Sequence, residues 1–79
     1  MYKILIVEDD ETIAGGLKNH LEKWNYQAEC MTDFKDVMGK FVEFEPQLVL
    51  LDIVLPFFNG FHWCQEIRKI SKVPIIFLS

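Results

Sequence analysis

The chain has 79 residues, of which 51% are hydrophobic and 25% charged, so it has room for one domain and a modest core, and its composition excludes a disordered tail or linker. Twelve acidic against eight basic residues give a net charge of −4; no basic patch is available, and direct nucleic-acid binding is not expected. No apolar run is long enough for a transmembrane helix and no signal peptide is legible, so no membrane partner is expected and the cytoplasm is the expected location.

Residues 3–7, a Lys followed by four apolar residues, read as a first strand of the kind buried on both faces of a parallel sheet. It leads directly into Glu8-Asp9-Asp10. A helix is expected from Asp10 or Glu11, with Ile13, Leu17, Leu21 and Trp24 recurring at helical spacing. Gly15 and Gly16 within it cost about 1 kcal/mol each relative to Ala. Close packing or plain tolerance explains them better than a phosphate-binding loop, since no Lys-Ser/Thr signature follows. Asn25 ends this helix, and residues 26–31 read as a second strand.

Thr32 or Asp33 is expected to cap a second helix carrying Phe34, Val37, Met38 and Phe41 on one stripe. Pro46 breaks it and leads into a third strand, residues 48–52, which ends on Asp52. After the loop 56–60, Asn59 is expected to cap a third helix bearing Phe61, Cys64, Ile67 and Ile70. Arg68 and Lys69 fall where that helix ends, and compensation of the helix dipole explains them better than phosphate binding. Val73-Pro74 opens a fourth strand, residues 75–78. Cys30 and Cys64 lack zinc-ligand spacing and read as small reduced core residues. His20 and His62 read as helix-face residues with no metal spacing between them. Trp63 is expected buried, and part of the Phe57–Phe58 pair exposed beside the third strand's end.

The alternation of strand and helix predicts an α/β fold with a parallel sheet. If the first and third strands are neighbours, Glu8, Asp9 and Asp52 converge at their carboxyl ends, where open α/β sheets place ligands. Three carboxylates held that close repel one another and favour a hard divalent cation with oxygen ligands. A carboxylate beside such a cation is also a candidate phosphoryl acceptor. Asp10 and Glu11, in contrast, read as an ordinary acidic first helical turn. An apolar final strand at a sheet edge is unusual and invites self-association; on this reading the sequence is cut short.

The run Ile4-Leu5-Ile6-Val7-Glu8-Asp9-Asp10, the run Leu51-Asp52-Ile53-Val54-Leu55-Pro56 followed by Asn59-Gly60, and the closing Pro74-Ile75-Ile76-Phe77-Leu78-Ser79 together resemble the receiver domains of two-component response regulators. The resemblance spans the whole chain as the N-terminal portion of a single receiver domain, residues 1–79. It implies a flavodoxin-like sheet of order 2-1-3-4, with helices on both faces and without the fifth strand and last two helices. It implies that Asp52 is the phosphoacceptor and that Asp9 ligates Mg2+ directly. Glu8 would contact the ion through water, Val54 would offer its backbone carbonyl, and Ser79 would be the hydroxyl that bonds the phosphoryl group. The implied partner is a sensor histidine kinase, with DNA reached only through an effector domain outside this chain. The stretch 56–64 is similar to the winged-helix subclass serving envelope and antimicrobial-peptide stress. The family also carries a Lys at the end of its fifth strand, which this sequence does not contain, and that leaves phosphorylation and switching open.

Two other readings belong beside this one. One is a fragment that binds metal, does not signal, and self-associates through its fourth strand. The other is a Mg2+-dependent phosphatase of the haloacid dehalogenase type. That type needs an Asp two residues after the nucleophile, and Val54 stands there instead.

Overall fold

The structure, a computed structural model, describes residues 1–78. Strands and helices alternate as β1 (Lys3–Val7), α1 (Glu11–Lys23), β2 (Gln27–Cys30), α2 (Val37–Phe44), β3 (Leu48–Leu51), α3 (Gly60–Arg68) and β4 (Ile75–Phe77). All strand pairs are parallel, and the order across the sheet is β2-β1-β3-β4, as expected.

Strand side chains alternate between the two faces, and the sheet uses both. Leu5 and Val7 of β1 and Val49 and Leu51 of β3 pack with Val37, Phe41 and Phe44 of α2 and with Trp63 and Ile67 of α3. The intervening residues, Ile4, Ile6 and Leu50, pack with Ala14 of α1 and Ala28 of β2, joined by the half-buried Leu17 and Leu21. Double-sided burial is why β1 after Lys3, and β3 throughout, are apolar at every position rather than at alternate ones. Cys30 and Cys64 are free, half-buried thiols, one packed against each of these two cores.

Each helix begins on a side-chain cap. The Asp10 carboxylate accepts the amides of Thr12 and Ile13, Asp36 accepts that of Gly39, and Asn59 accepts that of His62. Such caps satisfy amides that have no partner inside the helix. Asn25, at φ 68°, and Glu45, at φ 53°, take left-handed backbone at the ends of α1 and α2, the usual way to stop a helix. Arg68 closes α3 by donating to the carbonyls of Ser71 and Val73.

Several boundaries and faces differ from the sequence reading. Helix α2 starts at Val37, capped by Asp36, and not at residues 32–33; Asp33 instead accepts the Lys35 amide and shapes the preceding turn. Phe34 therefore sits ahead of the helix, although it still packs on the core. On α1 the buried stripe is Ala14, Leu17 and Leu21, leaving Ile13 and Trp24 exposed. On α3, Trp63 and Ile67 enter the core, while Phe61 and Ile70 are exposed. Strands β2, β3 and β4 are shorter than expected by one or two residues.

Candidate metal centre

The register of the sheet brings the acidic residues together. Val7 pairs with Leu51, so β1 and β3 end level, and the amide of Asp52 donates to the Val7 carbonyl at 2.9 Å. One residue beyond each strand stand Glu8 and Asp52. The carboxylate oxygens of Glu8, Asp9 and Asp52 can be chosen to lie within 4.8 Å of one another.

The three carboxylates have different surroundings. Glu8 is the buried charged residue of the core's rim, only 7% exposed, and it accepts the Asp10 amide at 3.1 Å. Burial pushes its carboxyl above the usual range; the Asp10 amide offsets part of that, and the Asp52 charge adds to it. Asp52 is half-buried, and one of its oxygens accepts the Ile53 amide at 2.8 Å, which fixes the plane of the carboxylate. Asp9 is exposed at the mouth. Among the described residues no Lys or Arg forms an ion pair with any of the three. A cluster of hard oxygen donors with uncompensated like charge fits a small divalent cation.

The loop from β3 to α3 is closed tightly over the end of β3. The Gly60 amide donates to the Ile53 carbonyl at 2.8 Å, and a Cβ on Gly60 would collide with the Asp52 carbonyl oxygen. Glycine is required here by that close approach rather than by an unusual φ. At the loop's tip, the Phe58 amide donates to the Pro56 carbonyl across Phe57, which has φ 69°. This is the rarer, strained hand of the γ-turn.

An open groove runs between Glu8, Asp9, Asp52, Val54 and the apolar Ile13, Leu17 and Leu78. Val54 borders this groove, with its side chain exposed. Ser79 lies outside the described residues; its neighbour Leu78 lines the groove and donates its amide to the Leu51 carbonyl. On the opposite flank Met31, Thr32 and Phe34, from the loop between β2 and α2, wall Glu8 and Asp9. Trp63 is buried, 5% exposed, as expected, and both Phe57 and Phe58 are exposed where exposure of part of the pair was expected.

Three contributors were not legible beforehand: Gly60 as the clamp on Asp52, Phe57 as the strained tip, and Lys35, whose ammonium lies 4.9 Å from the centre of the Phe57 ring. The Asn59-Gly60 pair was visible as a helix start, and a glycine directly after a cap is the one signal that hinted at a close backbone approach. Among the described residues no helix is long and apolar enough to cross a membrane.

Comparison with known proteins places this arrangement. The profile of the response regulator receiver domain matches residues 4–79. The chain is 54% identical over its full length to the uncharacterized transcriptional regulatory protein YvcP of Bacillus subtilis, of which it covers 33%. It is 49% identical to the N-terminal domain of the nisin resistance regulator NsrR, a lantibiotic response regulator, with a TM-score of 0.88 over 95% of this chain and 63% of that one. It is 31% identical to response regulator TrrA of Thermotoga maritima in complex with Mg2+-BeF, with a TM-score of 0.84 over 98% of this chain and 66% of that one. TrrA is also known in complex with the histidine kinase ThkA. The chain spans about a third of the length of the curated relatives it matches.

Proposed function

This chain belongs to the response regulator receiver domain family, and on that premise we propose that it takes a phosphoryl group on Asp52 from a phosphohistidine of a sensor histidine kinase. The observation that carries the proposal is the convergence of Glu8, Asp9 and Asp52 at the ends of two adjacent parallel strands. The complexes of TrrA with Mg2+-BeF and with a histidine kinase support it.

In this mechanism a carboxylate oxygen of Asp52 attacks phosphorus in line with the departing histidine nitrogen. The new P–O bond forms as the P–N bond breaks, and the imidazole leaves with the bonding pair. The Ile53 amide holds the carboxylate in one plane, and the Gly60 clamp holds the peptide that follows it. Restricting the nucleophile in this way lowers the entropic part of the barrier. Glu8, Asp9, Asp52 and the Val54 carbonyl would hold Mg2+, which supplies neutralisation of the charge on the transferring group. Ser79 is the proposed hydroxyl partner of the phosphoryl oxygens. The new negative charge and acceptor oxygens would draw that hydroxyl inward, an ordering step of the kind phosphorylation produces elsewhere. In a longer protein of the relatives' kind the step would control transcription in response to envelope or antimicrobial-peptide stress, in the cytoplasm.

The test is intact-mass measurement after incubation with a small phosphodonor and Mg2+, beside Asp52→Asn, with circular dichroism to establish that both are folded. We expect one phosphoryl adduct on the parent chain and none on the variant. A folded chain that binds Mg2+ and gains no adduct would favour the second reading: a metal-binding fragment that does not signal and associates through β4.

A further inference from the structure

We propose that Lys35 is a positioning residue for the phosphoacceptor site: its ammonium rests on the Phe57 ring and latches the loop that carries Asp52 and Val54 to the loop that walls Glu8 and Asp9. The proposal builds on the reading of Asp52 and its cation site given above.

The two loops meet where the Lys35 ammonium lies over the Phe57 ring. Met31, Thr32 and Phe34 border Glu8 and Asp9 on one flank, and Asp52 and Val54 border them on the other, with residues 53–59 following Asp52 in the chain. Each loop is anchored at its base. On the first, Met31 is buried, Phe34 packs on the core, and the Lys35 amide is held by the Asp33 carboxylate at 3.0 Å. On the second, Asp52 is tied to β1, and Gly60 is tied back to Ile53. Phe58 packs edge-on against the buried Trp63, with ring centres 5.5 Å apart.

Leu55 packs on the core, but Phe57 itself has no such anchor among the described residues. Phe57 is 65% exposed and holds φ 69°, a conformation that is costly for a bulky side chain and persists only where its surroundings hold it. The contact that reaches it from another segment is the Lys35 ammonium, 4.9 Å from the ring centre. Asp33 and Asp36 flank Lys35 in sequence, yet among the described residues its ammonium forms no ion pair with either. The cation lies over the ring face, where the aromatic quadrupole attracts it.

The consequence runs through the backbone. Val54 lies between Asp52, which is tied to β1, and Leu55, which is half-buried against the core. Freedom at Phe57 therefore reaches the Val54 carbonyl through Leu55, while the Ile53 carbonyl stays held by the Gly60 amide. Releasing the latch leaves the sheet and both cores untouched and loosens the donor set.

The experiment compares Lys35→Met, Phe57→Leu, the double variant and Lys35→Arg. One readout is amide hydrogen exchange of residues 53–59 in metal-free protein; the other is Mg2+ affinity by calorimetry. Each single variant is expected to speed exchange in that loop and to weaken Mg2+ binding about two- to five-fold, the worth of an exposed cation–π contact. The double variant should be no worse than either single one, because both remove the same contact. Lys35→Arg should behave as the parent, since a guanidinium also stacks on an aromatic face. Unchanged exchange in Lys35→Met, additive effects in the double variant, or a loosened loop with parental Mg2+ affinity would each overturn the proposal. A parent chain that takes up no Mg2+ sinks the phosphoacceptor reading and the positioning role with it, even where exchange shows that the contact exists.

Discussion

Glu8 carries an electrostatic cost set by its place in the fold. It is buried at the end of β1, and both burial and the Asp52 charge disfavour its ionised form, so its carboxyl titrates above the usual range in metal-free protein. The sign of the consequence follows from proton linkage. Between the ordinary carboxylate range and the raised folded value, the folded state binds more protons than the unfolded one, so stability falls as pH rises through that window. Metal-free protein should therefore lose melting temperature across this window, and Glu8→Gln should flatten that part of the profile. The same variant should bind Mg2+ more weakly and gain less stability from it, since a ligand stabilises only in proportion to its affinity for the folded state. Thermal melts at several pH values with chelator, repeated with Mg2+, read both effects. A variant with the parental slope would show that Glu8 does not carry the cost.

Helices α1 and α3 differ in what their glycines do. A Cβ on Gly16 would meet nothing within 4 Å, and the residue has no positive φ, so its absence of a side chain serves no contact. Gly16→Ala should stabilise α1 by about 1 kcal/mol, raising the melting temperature by roughly 4–8 °C for a domain of this size. Gly60→Ala should do the opposite, because its methyl would press on the Asp52 carbonyl; overpacking of this kind costs about 1–3 kcal/mol. Differential scanning calorimetry of both variants tests the contrast, and a neutral Gly60→Ala would mean that the loop is not clamped as described. These positions also mark how far sequence reasoning reaches. The strands, the start of α1 near Asp10 and the cap at Asn59 were legible, because apolar runs and capping residues follow from local rules, though Asp10 as the cap of α1 was not foreseen. The meeting of Glu8, Asp9 and Asp52 was legible once β1 and β3 were neighbours, as the family resemblance implied. The start of α2 was not, since Asp33 and Asp36 are both good turn residues and only packing decides which one caps. Nor was the buried face of α1, where Ala14 rather than Ile13 meets the sheet. Phe57 was beyond reach for a different reason: no composition rule predicts left-handed backbone at a phenylalanine held from another loop.

At the scale of the whole molecule, the two outer strands are unequal. β2 reads Gln-Ala-Glu-Cys, and its Glu29 is engaged by Lys40 of α2, which also reaches Glu43. A charged, ion-paired edge discourages the addition of a further strand. β4 reads Ile-Ile-Phe, with no charge, and Ile76 and Phe77 are both exposed. The Phe77 ring lies against that of Phe61, with centres 5.3 Å apart, and Phe61 is itself half in solvent. On the other face α1 packs over β1 and β2, so Ile76 has no helix above it among the described residues. An apolar edge strand of this composition recruits another edge of the same kind. The 79-residue chain in isolation should therefore associate as its concentration rises, and Ile76→Lys should return it to monomer by placing a charge on the exposed face of that edge. Sedimentation velocity over a wide concentration series, with and without phosphodonor, separates this behaviour from signalling. Association that Ile76→Lys abolishes while Asp52 still accepts phosphate would show that edge pairing and phosphoryl transfer are independent. A parent chain that stays monomeric throughout would rule out β4 as an adhesive edge.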